Sequence, residues 1–136
     1  MMDWGETAKA FDEVTKHGLE RNEAMDLYTI ERLSEIYNGC GPEWLPPKFR
    51  DMLTKYFYFF SAAFLVHDWD FSILPKTEKN FAKANTRLRN NCFRLVYKKV
   101  PWWNGYEILK RTRQAFIIWR VCARLGRSAF FKQPKV

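Results

Sequence analysis

The sequence predicts an all-α protein, and three observations support this prediction. Apolar residues recur at helical rather than alternating spacing along most of the chain of 136 residues. The Gly and Pro clusters that interrupt this spacing are few, at 38–42, 46–47, 75 and 101–105. Hydrophobic residues form 47% of the composition and aromatic residues 18%, so burial of apolar surface can offset the entropy of the chain. The length predicts a single domain over 1–136.

The first two predicted helices lie on either side of the Gly and Pro clusters at 38–47. The first covers 22–37 and ends at Asn38-Gly39, a typical C-terminal stop. The second begins at 47 or 48 and ends near Phe71. It is apolar nearly all round between 56 and 66, which predicts the buried central element of the fold.

The last two predicted helices complete the domain. The third begins near Thr77, whose hydroxyl can cap it, and ends near Lys99. The fourth covers 106–125. A connection of only a few residues makes the second and third helices antiparallel neighbours. The domain then has an N-terminal helical segment (1–36), a core (37–100) and a basic C-terminal helix and tail (101–136).

The charge is divided unevenly along the chain. Residues 1–75 carry a net charge of −6 and residues 76–136 a net charge of +14, which together give +8. This indicates an anionic partner for the second half, a membrane surface or a nucleic acid; the alternative is that the halves attract each other or solvate the fold. The longest uncharged stretch, 56–66, is too short for a transmembrane helix, which needs about 20 residues. The amino-terminal residues lack the pattern of a secretion signal, and three cysteines are too few for a disulfide framework. Both observations predict synthesis in a cytosol.

His67 and Asp68 are adjacent near the end of the second predicted helix. Neighbours on a helix point about 100° apart, so the two side chains serve different tasks. Upstream, the turn at 37–41 carries glycines at alternate positions, which frees the backbone to aim successive carbonyls inward. A hard cation such as calcium takes carbonyl and carboxylate oxygens, so the candidate ligands are Tyr37, Gly39, Gly41 and Asp68. Taken alone, the turn also fits a plain helix C-cap.

Together these residues resemble the phospholipase A2 superfamily, particularly its compact, disulfide-poor members among viral capsid, phage and bacterial proteins. The resemblance covers roughly 37–92, and it implies a core of two antiparallel helices with additional N- and C-terminal helices. The matching motifs keep their order and spacing. They are Tyr-x-Gly-x-Gly at 37–41, the small residues at 61–63, His67-Asp68-x-x-Phe71, and Ala84-Asn85 on the next helix.

The resemblance implies a mechanism. His67 would be the general base that takes a proton from the water attacking the sn-2 ester of a phospholipid. Asp68 would be a calcium ligand rather than a base. The resemblance implies that calcium binds the substrate phosphate and stabilises the oxyanion, and that its ligands are Asp68 and the carbonyls of Tyr37, Gly39 and Gly41.

Two positions depart from the family pattern. The Asp that orients the histidine is Asn85 here, and the family's Tyr is Phe71. An amide can accept a hydrogen bond but brings no negative charge; the analogous loss in a Ser-His-Asp triad lowers the rate about 10⁴-fold. Asn85 also fits a buried amide that only ties two helices together. Asp70 and His17 lie outside these motifs and are predicted at the surface.

A basic stripe is predicted on the fourth helix, opposite Phe116, Trp119 and Cys122. It suits an anionic lipid interface, where each basic residue contributes about 1 kcal/mol. A nucleic-acid backbone or a solvated outer face fits the same pattern. The candidate membrane- or anion-binding residues are Lys110, Arg113, Arg120, Arg124 and Arg127, with Trp102 and Trp103 just before the helix.

The sequence therefore predicts a calcium-binding, lipid-directed protein of the phospholipase A2 type whose activity is weak or lost. The alternative is a non-enzymatic virion or assembly protein. Such a protein would retain the fold and use its basic half to bind protein, membrane or nucleic acid. Fold alone does not decide between the two, because function resides in the site.

Overall fold

A computed structural model describes residues 3–37 and 46–132 of the chain, except for the side chain of Lys132. All regular structure within these residues is helical, which confirms the predicted class. No helix in this part of the chain is both long and apolar enough to cross a bilayer. The elements are α1 (Trp4–Lys16), a 3₁₀ helix (Glu23–Leu27), α2 (Ile30–Ile36), α3 (Pro47–Ile73), α4 (Glu78–Lys99), α5 (Gly105–Leu125) and α6 (Arg127–Lys132).

Side-chain oxygens mark where three of the helices begin. Asp3 caps α1, Thr77 caps α4 and Asn104 caps α5, each by accepting a backbone N–H of the first turn. These N–H groups have no partner within their own helix; Asp3 satisfies two of them, and Thr77 and Asn104 satisfy one each. The predicted cap at Thr77 is confirmed, and the bounds predicted for α3, α4 and α5 agree with the structure to within two residues.

The single helix predicted over 22–37 is wrong, because the structure divides it. The 3₁₀ helix ends at Leu27, Tyr28 has an extended backbone, and α2 starts after Thr29. The Thr29 hydroxyl accepts the backbone N–H of Arg32 at 3.1 Å and so gives α2 its own N-cap. The apolar residues keep a helical period across the break, so the pattern conceals it.

The helix α3 lies at the centre of the molecule and packs against α1, α2, α4 and α5. Its second half is almost wholly buried, which confirms the predicted central element. Near the start of this half, the Phe59 carbonyl accepts a hydrogen bond from Lys99 at the end of α4, at 2.9 Å. Near its end, the rings of Phe71 and Phe81 lie 6.1 Å apart. The two helices therefore run antiparallel.

Asp70 is fully buried, so its predicted position at the surface is wrong. Its Oδ1 accepts a hydrogen bond from Arg87 Nη1 of α4 at 2.8 Å, in an ion pair that is almost shielded from solvent. Helical periodicity does not indicate this pairing, because the two residues belong to different helices. His17 is partly exposed just after α1.

Candidate functional site

The centre of the candidate site is a contact between His67 of α3 and Asn85 of α4. Both side chains are buried, and His67 Nε2 lies 3.0 Å from Asn85 Oδ1. Because the two helices are antiparallel and adjacent, two residues 18 positions apart meet at one level of the interface. The predicted histidine and the predicted orienting residue are thus in direct contact.

The hydrogen bond determines which nitrogen of His67 is basic. The amide oxygen of Asn85 can only accept, so Nε2 must carry the proton and donate it. In the neutral imidazole the other nitrogen, Nδ1, then holds the free lone pair. Nδ1 makes no hydrogen bond within the part of the chain that the structure describes. This tautomer leaves Nδ1 able to accept a proton.

Burial determines the protonation state of His67. Removal from water disfavours the charged imidazolium and lowers the pKa of His67 to about 4, although the hydrogen bond that His67 donates to Asn85 acts in the opposite direction. The ring is therefore neutral at pH 7. A carboxylate in place of Asn85 would favour the charged form, and the amide does so far less.

An aromatic cluster covers one side of His67. The centroid of the Phe71 ring lies 4.1 Å from that of His67, and Phe130 of α6 lies 5.1 Å from Phe71. Phe81 of α4 completes the cluster at 5.7 Å from Phe130. These rings exclude water from the imidazole and help to explain its low pKa. Sequence reasoning overlooked Phe130, although a pair of phenylalanines just after Gly126 was available as a signal.

Asp68 lies beside His67 on α3 and is half-buried. Tyr37, the last described residue before position 46, caps the end of α2 and donates its hydroxyl to the Ser61 carbonyl of α3 at 3.1 Å. The pKa of Tyr37 is raised by burial and by the negative charge of Asp68. The ligands predicted at Gly39 and Gly41 lie outside the described residues.

Calcium is the cofactor that the resemblance implies, and the described residues fit it only in part. They contain no cluster of three or more His, Cys, Asp or Glu side chains that would hold a metal by itself. Oxygen donors suited to calcium are present in the Asp68 carboxylate and the Tyr37 carbonyl. The remaining predicted donors are backbone carbonyls at 39 and 41.

A second polar contact joins α3 and α4 one turn beyond His67. Burial raises the pKa of Asp70 to about 6, against the opposing effect of Arg87. Asp70 Oδ2 is buried and makes no hydrogen bond within the described structure. The ion pair therefore bridges the helices next to the contact between His67 and Asn85 and fixes their relative position.

The outer face of α5 carries exposed cations, as predicted. It continues from the connection between α4 and α5, where Trp102 and Trp103 are 89% and 69% exposed. Phe116 was expected on the opposite, covered side, but it is 48% exposed, because the buried side of α5 is formed by Ala115, Ile118 and Val121. The exposed cations of this face are Lys110, Arg113, Arg120 and Arg124.

Arg127 does not continue this stripe, which corrects its predicted position on the same helix. The helix α5 ends at Leu125, and Arg127 is the first residue of α6. Its guanidinium pairs with the Glu78 carboxylate at the start of α4, with Nη1 at 2.6 Å from Oε2. Gly126 allows the change of direction between the two helices, since a Cβ there would meet the Cys122 carbonyl and the Phe71 ring.

Comparisons of the chain with models of protein families, with curated proteins and with solved structures gave no match.

Proposed function

We propose that this chain is a calcium-dependent protein of the phospholipase A2 type that hydrolyses the sn-2 ester of phospholipids slowly. The supporting observation is the hydrogen bond of 3.0 Å between His67 Nε2 and Asn85 Oδ1. It joins the general base and the orienting residue that the resemblance names, and it leaves Nδ1 as the basic nitrogen. Asp68 follows on the next position of α3, as the resemblance requires of a metal ligand.

The chain's own residues would act as follows. His67 Nδ1 accepts a proton from water as the water oxygen attacks the ester carbonyl, and it returns the proton to the departing alcohol oxygen. Asn85 holds the imidazole in one orientation throughout. Asp68 and the carbonyls of Tyr37, Gly39 and Gly41 would hold calcium, which would supply positive charge for the substrate phosphate and the developing oxyanion.

The same contact explains why the proposed reaction is slow. When His67 takes a proton, an imidazolium forms in a buried site whose nearest polar partner is an uncharged amide. A general base works best when its pKa lies near the working pH, whereas burial holds the pKa of His67 at about 4. His67 is thus in the basic form at pH 7 but has a low affinity for the proton.

The test is release of fatty acid from vesicles of mixed anionic and neutral phospholipid, with calcium or with a chelator. We expect slow release that needs calcium, that is lost in His67→Gln, and that persists in the matched variant His17→Gln. Release that is equal in the two variants would refute the role of His67. Absence of release from both the wild type and Asn85→Asp would refute the hydrolase.

A second candidate function is supported by the exposed surface of the C-terminal half. Trp102 and Trp103 project from the connection between α4 and α5, and exposed cations follow on α5. Indoles beside basic residues are typical of proteins that bind the interface of an anionic membrane. As the alternative, we propose that this chain is a virion or assembly protein without catalytic activity and that it binds anionic membranes through this surface.

Flotation with anionic vesicles tests this second candidate. The double variant Trp102→Ser/Trp103→Ser should bind about tenfold more weakly or worse, because the indoles supply the apolar part of the contact. Trp4→Ser is the matched control, since Trp4 is an exposed indole on α1. Equal binding by the wild type and the double variant would contradict the proposed membrane contact.

A further inference from the structure

A cleft of about 600 Å³ lies between the first half of α3 and the outer face of α5. Tyr56 contributes from α3, and Tyr106, Lys110 and Arg113 contribute from α5. We call it the Tyr56 cleft. Tyr56 precedes His67 by eleven residues on α3, which is about 16 Å along the helix axis, so this cleft is separate from the histidine site.

The charge of the Tyr56 cleft is wholly positive. Lys110 and Arg113 line it, and no acidic residue does so among the described residues. Within the same residues neither cation makes an ion pair or a hydrogen bond, whereas the neighbouring Arg111 is engaged by Glu107 at 2.8 Å. Two cations in one cleft without a protein partner are suited to an anion.

The uncharged polar groups of the cleft also favour an anion. Gln114 lines it, and its Oε1 already accepts a hydrogen bond from Arg111 at 3.0 Å, which leaves the amide NH₂ to donate. The hydroxyls of Tyr56 and Tyr106 add two further donors. The cleft thus offers donors from both helices and cations from one of them.

Aliphatic side chains form the rest of the cleft. Leu109 is 72% exposed beside it, and Ile117 lines its other end. A free phosphate ion would use the cations but not this apolar surface. A single-stranded nucleic acid could pair with the cations and stack its bases on the tyrosine rings, but it would leave the aliphatic side chains of Leu109 and Ile117 without an apolar partner. The combination fits a phosphate group that is attached to an apolar chain.

We propose that the Tyr56 cleft binds the phosphate-bearing headgroup of an anionic phospholipid. Lys110 and Arg113 pair with the phosphate, Tyr56 donates to it from α3, and Leu109 contacts the beginning of the acyl chains. This site does not require the proposed hydrolysis, since no residue of the cleft belongs to the histidine site. It rests on the proposed membrane contact, with which it shares Lys110 and Arg113, and names the lipid group that this contact would bind.

Calorimetric titration with dihexanoyl phosphatidate below its micellar concentration, in the presence of a calcium chelator, tests the proposal. We expect saturable binding that is at least tenfold tighter than that of inorganic phosphate, because only the lipid uses the aliphatic wall. Lys110→Gln/Arg113→Gln should weaken binding at least tenfold. The matched control Arg120→Gln/Arg124→Gln removes the same charge from the same helix outside the cleft and should change binding less than twofold.

A second pair of variants tests the contribution of α3. Tyr56→Phe should weaken binding about threefold by removing one donor, and Tyr58→Phe, an exposed tyrosine on the same helix, should leave it unchanged. The proposal is overturned if the two charge variants lose equal affinity or if inorganic phosphate binds as tightly as the lipid. It is also overturned if a single-stranded oligonucleotide displaces the lipid or if no saturable binding is found. Because the chelator prevents hydrolysis, these outcomes are independent of the proposed enzyme.

Discussion

Replacement of Asn85 by Asp is the most informative change that the candidate site allows. It puts a carboxylate oxygen where Asn85 Oδ1 now lies, 3.0 Å from His67 Nε2. The substitution keeps the size and shape of the side chain. Its effect on His67 is therefore electrostatic, and its magnitude can be worked out from the distance.

At 3.0 Å and an effective dielectric constant of about 20, a carboxylate and an imidazolium attract each other by about 5 kcal/mol. Burial of a second charge offsets roughly half of this gain. The net of about 2–3 kcal/mol would raise the pKa of His67 from about 4 to about 6. A base with this pKa and a stabilised charged form should hydrolyse the ester about 10²- to 10⁴-fold faster.

Two measurements check the prediction. Proton NMR of the His67 ring across the pH range reports its pKa, and His17→Gln assigns the second histidine signal. Fatty-acid release with calcium reports the rate. The matched variant Asn80→Asp adds the same charge five residues earlier on α4 and should alter neither quantity. This control loses the exposed hydrogen bond of 2.9 Å from Asn80 Nδ2 to the Pro75 carbonyl, but an acidic residue is favourable in the first turn of a helix, so the variant should still fold.

Each failure has a distinct meaning. If the titration of His67 in Asn85→Asp is the same as in the wild type, the contact between positions 67 and 85 is not made and the site is wrong. If the pKa of His67 rises but neither protein releases fatty acid, the contact exists and the hydrolase is refuted. The membrane-binding function then becomes the better explanation of the chain.

Three further predictions concern the framework of the site. Arg87→Met leaves Asp70 buried without its partner and should lower the free energy of unfolding by about 3–5 kcal/mol in urea denaturation. The control Arg89→Met removes a cation over the Trp119 ring and should lower the free energy of unfolding by about 1 kcal/mol or less. Equal losses in the two variants would contradict the role of the ion pair. His67 has a folded-state pKa of about 4, below the unfolded value of 6.5, so its contribution to stability is present above pH 6.5 and is lost as the pH falls. The free energy of unfolding of the wild type relative to His67→Gln should therefore decrease by about 3 kcal/mol between pH 7 and pH 4. A constant difference would refute the burial of His67. Gly126→Ala forces a Cβ against the Cys122 carbonyl and should lower the free energy of unfolding by about 1–3 kcal/mol in thermal unfolding. The control Gly105→Ala should leave stability unchanged, because its Cβ would meet no atom within 4 Å. Equal melting temperatures of the two variants would show that the turn at Gly126 tolerates a side chain.

The parts of the fold that depend on local chemistry could be predicted from the sequence. Thr77 marks the start of α4 because its hydroxyl accepts a backbone N–H three residues ahead, and both partners lie in one stretch of sequence. The break at Thr29 depends on the same kind of cap, but the apolar period continues across it and outweighed it in the prediction. Periodicity therefore located long helices well and short ones poorly.

The parts of the site that depend on contacts between helices could not be predicted without the resemblance. The sequence predicts Asp70 at the surface because it lies outside every motif, whereas Arg87 reaches it from α4. Phe130 follows Gly126 on a separate short helix, and only the turn there brings its ring to Phe71. Pairing across an interface depends on the relative position of two helices, which the period of either helix alone does not contain.

The two polar contacts between α3 and α4 together explain why an amide is tolerated at position 85. The carboxylate of this interface is Asp70, one turn beyond His67, and it is paired with a cation, whereas His67 faces the neutral Asn85. A neutral imidazole and an amide cost less to bury than an imidazolium and a carboxylate. Burial already raises the pKa of Asp70, so a second carboxylate in the same interface would be costly. Asn85 thus favours the stability of the fold and lowers the affinity of His67 for a proton. Asn85→Asp should therefore hydrolyse the ester faster than the wild type and have a lower free energy of unfolding.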